Sequence, residues 1–405
     1  MRQEKPSRRD LTAAAALAFT FALAAAAAEA AAQTAGPEAL GFKKHFAVEI
    51  TNPSPRALEN QAVVIDVASI RASVAPDFNT YMYALFDATR GEYGLVVSQA
   101  DDLDKDRYHD EIVFVRTLPA SSTTRLLCYY TPARSFQLMP AQKAFARGPW
   151  GTGGAEAGWE SNLAAYELEQ GRIGVFGKLQ PGLILKGFPA SLAKIQEWGA
   201  ALVESGESAG AGGLSIWDGT KRLPLFGASA PPVKLTVISP GPVRGLVKAE
   251  YPAVKTAAGE VTLTVYLSAF ADNVYSRQDV VISSKSGGPV VLGPGLEKLA
   301  DGSWSYDKAK GTLTTFGKGA GKAGPIGLAA IFSPADASGV EEASLDRSVK
   351  LSGRPGRKLV YWVAGAWSRG VTATDAPSAK EWERRVDDLA TRLLVPVRVE
   401  FKAQK

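Results

Sequence analysis

Short runs in which apolar and polar residues alternate make up most of this chain, and turns separate them. The first is His45-Phe46-Ala47-Val48-Glu49-Ile50, closed by the turn Thr51-Asn52-Pro53-Ser54-Pro55. Gln61 to Val67, Tyr81 to Asp87, Tyr93 to Ser98, Glu111 to Arg116 and Thr124 to Tyr130 follow at short intervals. A period of two sends successive side chains to opposite faces, so each run predicts a strand with one face on a core. Strands this short and closely spaced predict an N-terminal β-sandwich over residues 40–145. Ala141 to Gly158 is rich in Gly and Ala and lacks a period, which predicts a domain boundary there.

From Trp159 the alternation returns in longer runs. They are Arg172 to Phe176, Lys234 to Ile238, Val243 to Tyr251, Val261 to Ala269, Val274 to Ser283, Gly327 to Phe332 and Leu359 to Gly365. Their lengths predict a larger antiparallel β-sandwich over residues 150–405. One segment changes period. Trp382, Val386, Leu389 and Leu393 recur at helical spacing behind Ser378, which predicts a C-terminal helix. Pro396 stops it, and Val397, Val399 and Phe401 then alternate as a last strand. The fold class is therefore mainly β, two sandwiches with a helix near the C-terminus.

Composition narrows the chemistry. Hydrophobic residues at 46% supply a core and exclude disorder, and 40 Gly with 24 Pro suit many turns. Two histidines and one cysteine exclude an internal disulfide framework and a Cys/His zinc cluster. Both histidines, His45 and His109, fall in the N-terminal sandwich, so catalysis in the larger body would rest on carboxylates, tyrosine, arginine or an ion. The net charge of +5 comes from 46 basic and 41 acidic residues, mixed along the chain, which argues against nucleic acid.

Residues 1–32 have a basic start, an apolar run from Leu11 to Ala28 and small residues at Ala28-Glu29-Ala30, the three parts of an export signal. Ser7-Arg8-Arg9-Asp10-Leu11 resembles the twin-arginine signal of bacteria. The expectation is a periplasmic or secreted protein with no membrane segment once the signal is cleaved.

Three clusters carry candidate chemistry. Asp102, Asp104 and Asp106 alternate as the first three ligands of a calcium loop do, although Arg107 and Val113 stand where such loops want Gly and Glu. Trp159 and Glu160, followed by Tyr166 and Arg172, combine an aromatic face for sugar C–H groups with a carboxylate for acid/base work. Trp198, Glu204, Glu207 and Trp217 flank a glycine-rich stretch, Gly206 to Gly213, which predicts an irregular loop and lacks the Lys of a phosphate loop.

At these residues the chain resembles a known family. Trp159-Glu160-Ser161-Asn162, Tyr166 and Gly174-Val175-Phe176-Gly177-Lys178 resemble the W-E-[SN]-D…D-[VL]-[FW]-x-K block of domain-of-unknown-function family forty-eight sixty-one. Gly206 to Leu214 with Trp217-Asp218-Gly219 resembles its glycine block, and Gly241-Pro242-Val243-Arg244 its G-P-V-R strand. Gly365-Ala366-Trp367-Ser368 with Trp382 resembles its closing segment, and Asp102 to Phe114 its acidic hairpin.

The resemblance implies an exported, carbohydrate-acting, mutarotase-like supersandwich from bacterial polysaccharide-degrading loci. Three positions depart from the family pattern. Asn162 replaces an acid, Pro189 to Glu197 holds no histidine, and Ala201 replaces a second acid.

The reading that follows is a carbohydrate-active enzyme, hydrolase or lyase, acting on polysaccharide fragments. Glu160 would be acid/base with Glu204 or Glu207 as partner, Arg172 or Arg244 would bind a uronate, and Trp159, Tyr166, Trp198 and Trp217 would face an oligo- or polysaccharide. The alternative is a non-catalytic carbohydrate-binding protein on the same scaffold. Calcium at Asp102, Asp104 and Asp106 is the one expected cofactor.

Overall fold

A computed structural model describes residues 37–87, 94–132, 140–151, 154, 156–187, 197–203, 206–257, 259–321, 323–371 and 376–403. The export signal over residues 1–32 lies outside the described residues. The chain is mainly β and antiparallel, as the alternation predicts.

The N-terminal sandwich packs two sheets. One orders its strands Arg398–Ala403, Phe42–Asn52, Ser122–Pro132, Tyr83–Asp87 and Gly94–Val96. The other orders Leu58–Asp66, Glu111–Leu118 and Ser98–Asp101. Phe46, Val48, Ile50, Ile65, Phe114 and Leu126 fill the space between them. The run expected as one strand from Tyr93 to Ser98 divides at Val97, because the chain crosses there from one sheet to the other. A short helix, α1 (Val67–Ser73), was not legible in the periodicity. The Asp66 side chain caps it, accepting from Ser69 N, and Val67 and Ile70 anchor it in the core.

The larger body is a sandwich of two layers. One is an eight-stranded sheet, in the order Lys234–Pro240, Arg244–Thr256, Gly259–Phe270, Tyr275–Ser284, Leu359–Trp367, Pro325–Phe332, Thr312–Lys318 and Ala300–Asp307. Two five-stranded sheets, meeting where Ile173 bridges Gly210, form the other. Trp159, Tyr166, Ile216, Val247, Leu292 and Trp367 are among the side chains buried between the layers.

Two expectations change here. The stretch expected as a domain boundary contains the strands Ala144–Trp150 and Glu156–Ser161, and a Cβ on Gly148 would stand 3.0 Å from Ala157 Cα. The glycine block is not a loop throughout, since Ala211–Asp218 is a strand. Gly212 has φ +133°, and a Cβ there would stand 2.7 Å from Val363 Cγ1. The glycines serve close packing against the eight-stranded sheet rather than looseness.

The C-terminal segment ties the bodies together. Helix α2 (Ala379–Leu393) starts at Ser378, whose side chain accepts from Glu381 N, as predicted. It lays Trp382, Val386 and Leu389 on the outer face of the eight-stranded sheet, in one apolar cluster with Val113 of the N-terminal sandwich. The last strand then returns to that sandwich, pairing Val48 with Phe401 and Ile50 with Val399.

A buried charge cluster joins the bodies from the other side. Arg244 donates to Asp101 Oδ2 at 2.5 and 2.8 Å and to Glu111 Oε2 at 2.8 Å. Gln99 accepts from the Val243 and Arg244 backbone amides. Arg244, expected to bind a uronate, is 4% exposed and committed to this junction.

Replacing Arg244 by Met would strand two carboxylates at a buried interface, so denaturant unfolding should register a loss of about 3–5 kcal/mol. A loss below about 1 kcal/mol would show that the cluster does not hold the bodies together.

Candidate functional site

The sheet ordered Gly199–Ala201, Arg172–Lys178, Ala165–Glu169, Glu156–Ser161 and Ala144–Trp150 has one apolar face and one charged face. Ala157, Trp159, Tyr166, Leu168, Ile173 and Val175 point into the core. The alternate positions therefore share the opposite face. Register sets them in rows. Glu156, Glu169 and Arg172 stand abreast, then Gly158, Glu167 and Gly174, then Glu160, Ala165 and Phe176.

The third row is closed by a buried ion pair. Lys178 Nζ lies 2.6 Å from Glu160 Oε2, and both side chains are fully buried. The ammonium also donates to the carbonyls of Ser161 at 2.7 Å and Gly182 at 2.6 Å. Glu160 accepts from Ile184 N at 2.9 Å and Leu185 N at 2.8 Å. Burial pushes the Lys178 ammonium down from the usual lysine range, with Glu160 working to raise it. The pair therefore clips the segment 179–187 onto the sheet. With its oxygens so engaged, Glu160 is a structural anchor rather than a proton carrier facing a ligand.

The clipped segment walls the middle row. A Cβ on Gly158 would stand 2.9 Å from Trp150 Cη2 and 3.0 Å from Leu185 Cδ1, so only glycine admits both side chains over the sheet. Glu167 lies beside it, flanked on its other side by Gly174, and is 8% exposed. Its carboxyl is pushed up to about 8. Burial is the main cause, Glu169 and Glu156 add to it, and the Trp150 indole and the Arg172 charge work the other way. Glu156 is raised as well, by burial first and then by Glu169 directly opposite. Three carboxylates thus share one patch, and the innermost holds its proton near neutral pH.

The aromatic and basic residues expected at the site are dispersed. Trp159 is in the core with its Nε1 donating to Ser276 Oγ at 2.6 Å, and Tyr166 beside it donates to the Val274 carbonyl at 2.7 Å. Neither offers a face to a ligand, because alternation puts both on the inner side of the sheet. Arg172 is on the charged face, but it is 3% exposed and bound to Glu297 Oε2 at 2.9 Å, which Ser208 also reaches.

Trp198 packs edge-on to Phe176 at 6.4 Å, on the same face as Glu167. Trp217 belongs to the other five-stranded sheet, where its indole donates to Glu341 and Arg222 and Lys350 lie near its ring. Glu207 accepts from Ala228 N, and no hydrogen bond or ion pair among the described residues joins it to Glu160. Glu204 lies outside the described residues. Asn162 is held in a reciprocal pair with Asp272.

The acidic loop joins Ser98–Asp101 to Glu111–Leu118 as a hairpin, and ligand oxygens of Asp102, Asp104 and Asp106 lie within 4.8 Å of one another. Asp102 accepts from Lys105 N and Arg107 N at 2.7 and 2.8 Å. Arg107 takes φ +79°, the conformation for which calcium loops use glycine at that position. The loop belongs to the N-terminal sandwich, apart from the Glu167 face.

A cleft of about 650 Å³ along α2 is lined by Arg56, Lys310, Arg384, Asp387 and Asp388 among others. Its cations pair with its own acids, Lys310 with Asp387 at 2.6 Å and Arg384 with Asp388 at 2.8 Å.

The Glu160→Gln protein keeps the volume but leaves Lys178 without its charge partner. Urea unfolding should show a loss of about 3–5 kcal/mol, and unchanged stability would contradict the anchoring role.

The family model described as Domain of unknown function (DUF4861) matches residues 50–399. No curated protein matches the sequence. Among solved structures, the chain is similar to an alpha-mannosidase from Enterococcus faecalis V583, with TM-score 0.46 and 8% identity over 90% of this chain and 46% of that one. It is likewise similar to a protein in the glycosyl hydrolase family 38 from Enterococcus faecalis, with TM-score 0.46 and 8% identity over 90% of this chain and 48% of that one. The chain spans less than half the length of either. The family match covers most of the sequence, from the first strand to the last, and the chain belongs to the DUF4861 family.

Proposed function

We propose that this protein is an exported carbohydrate-active enzyme that hydrolyses glycosidic bonds in polysaccharide fragments at the Glu167 face. One observation carries the reading: a nearly buried carboxyl held up to about 8 beside two further carboxylates on the same sheet face. Pairs of acids whose environments separate their proton affinities are the arrangement glycoside hydrolysis uses.

Glu167 donates its proton to the glycosidic oxygen as the bond to the anomeric carbon breaks. Water attacks that carbon, and Glu169 takes the proton that the water loses. Residues two apart on a strand stand about 7 Å apart at the backbone, a spacing compatible with the carboxyl separation of an inverting pair. Trp150, beside the patch, and Trp198, backed by buried Phe176, are the partly exposed rings on which a sugar would stack.

Hydrolysis is favoured over elimination. A lyase must neutralise a uronate carboxylate with a cation, and the two arginines expected for that task, Arg172 and Arg244, are bound to protein carboxylates. The basic and alanine-rich leader supports a periplasmic or secreted location. Among the described residues no helix is long and apolar enough to cross a membrane.

Calcium at Asp102, Asp104 and Asp106 is a separate proposal, supported by the clustered ligand oxygens and the left-handed Arg107. Its role would be to brace the hairpin. Millimolar calcium should raise the melting temperature and a chelator should reverse the gain, whereas a melting temperature indifferent to both would remove calcium from the account.

On a panel of oligosaccharides, Glu167→Gln should lower turnover by about 10²–10⁴-fold without loss of melting temperature, because the amide removes only the proton donor. Wild-type turnover should fall as pH rises through about 8, where Glu167 loses its proton. Turnover that is unaltered in Glu167→Gln would refute the assignment.

A further inference from the structure

The N-terminal sandwich carries two aromatic rings that its core does not use. Tyr81 is 62% exposed and Tyr108 is 66% exposed, and neither joins the apolar clusters of the sandwich. Tyr81 is nevertheless held in place. Its hydroxyl donates to the Arg107 carbonyl, its backbone amide donates to Asn79 Oδ1 at 3.0 Å, and its ring lies 4.6 Å from that of His109. His109 is fixed in turn by a 2.9 Å contact between its Nδ1 and Oγ1 of buried Thr80. The Arg107 carbonyl belongs to the peptide that leads into Tyr108, so both rings rise from one spot on the acidic hairpin. Tyr108 N donates to Asp106 Oδ1 at 2.7 Å, and Asp106 N donates to Asp104 Oδ1 at 3.1 Å. Asp104 and Asp106 are exposed, and each spends one oxygen on the backbone. The Tyr108 side chain makes no hydrogen bond or ring contact among the described residues.

We infer, resting on the carbohydrate reading above, that this hairpin tip is a second sugar-binding surface, apart from the Glu167 face, which holds pyranose rings of a polysaccharide chain. The C–H groups on one face of a pyranose fit the electron-rich face of a phenol ring. Its hydroxyls need acceptors, and the carboxylates of Asp104 and Asp106 stand beside the rings. A ring fixed before the ligand arrives, as Tyr81 is, loses less freedom on binding than a mobile one. The size of the patch favours a sugar over a protein. Its apolar part is three side chains, Tyr81, Met82 and Tyr108, well short of the ~800 Å² that each partner buries in a stable protein contact. An enzyme that also holds its polymer raises the local concentration of cleavable bonds.

The test is affinity electrophoresis of the full chain in native gels containing laminarin, arabinoxylan, xyloglucan, galactomannan or dextran. Each gel is run with millimolar calcium and again with a chelator. At least one polymer should retard the wild-type protein. Tyr108→Ala and Tyr81→Ala should each raise the apparent Kd by about tenfold. Tyr108→Phe keeps the ring and should keep the retention. Because Tyr108 touches nothing else, Tyr108→Ala should leave the melting temperature and the turnover of short nitrophenyl glycosides unchanged.

Retention that both alanine variants preserve, or no retention by any polymer, would overturn the inference. So would self-association of the wild type that Tyr108→Ala abolishes, because the face would then be a contact between copies. Retention through the two tyrosines without turnover of any oligosaccharide would leave this surface standing and remove the hydrolase reading. Turnover that depends on Glu167, without retention, would do the reverse.

Discussion

A lysine and a glutamate with no exposed surface, in the middle of a sheet, set the conditions for everything around them. Moving either charge out of water is expensive, and the pair persists because each remaining hydrogen-bonding position finds a partner. Lys178 meets Glu160 and two carbonyls, and Glu160 meets Lys178 and two amides. Those amides and one carbonyl belong to the segment 179–187, so the pair fixes that segment as a wall. The wall brings Leu185 against Gly158, next to Glu167. Burial at this walled face is the main cause that raises the Glu167 carboxyl.

The rest of the architecture supports the same face from below. The inner side of the sheet is filled by Trp159, Tyr166 and their neighbours against the eight-stranded layer, so its charged residues are on the outer side. The N-terminal sandwich is held to the larger body by the Asp101–Arg244–Glu111 cluster and by the last strand. Charges that look alike in the sequence therefore divide into two kinds. Arg244, Arg172, Lys178 and Glu160 are paired within the protein, while Glu156, Glu167 and Glu169 have no ion-pair partner among the described residues.

Much of the fold was legible because a period of two is dictated by strand geometry itself. The runs beginning at His45, Val261 and Leu359 became strands near their expected bounds, and the helix behind Ser378 followed from its spacing and cap. The glycine block was misread because glycine marks both loose loops and close packing, and only the position of Val363 distinguishes them. The burial of Glu160 was hidden for a related reason. Trp159-Glu160 has the residue types of sugar chemistry, but alternation cannot tell which face a neighbouring segment covers. Tyr166-Glu167-Leu168-Glu169 reads as an ordinary half-exposed strand, and only burial in the folded chain sets Glu167 apart. The signal was present as Glu-x-Glu between two glycine-bearing strands, without anything local to mark it.

Burial at the walled face makes Glu167 an acid that keeps its proton near neutral pH. Carbon-13 NMR of selectively labelled glutamate, assigned by comparison with Glu167→Gln, measures that directly. The carboxyl resonance of Glu167 should titrate with a midpoint of about 8. A midpoint in the ordinary range near 4.5 would contradict the account and remove Glu167 as the proton donor.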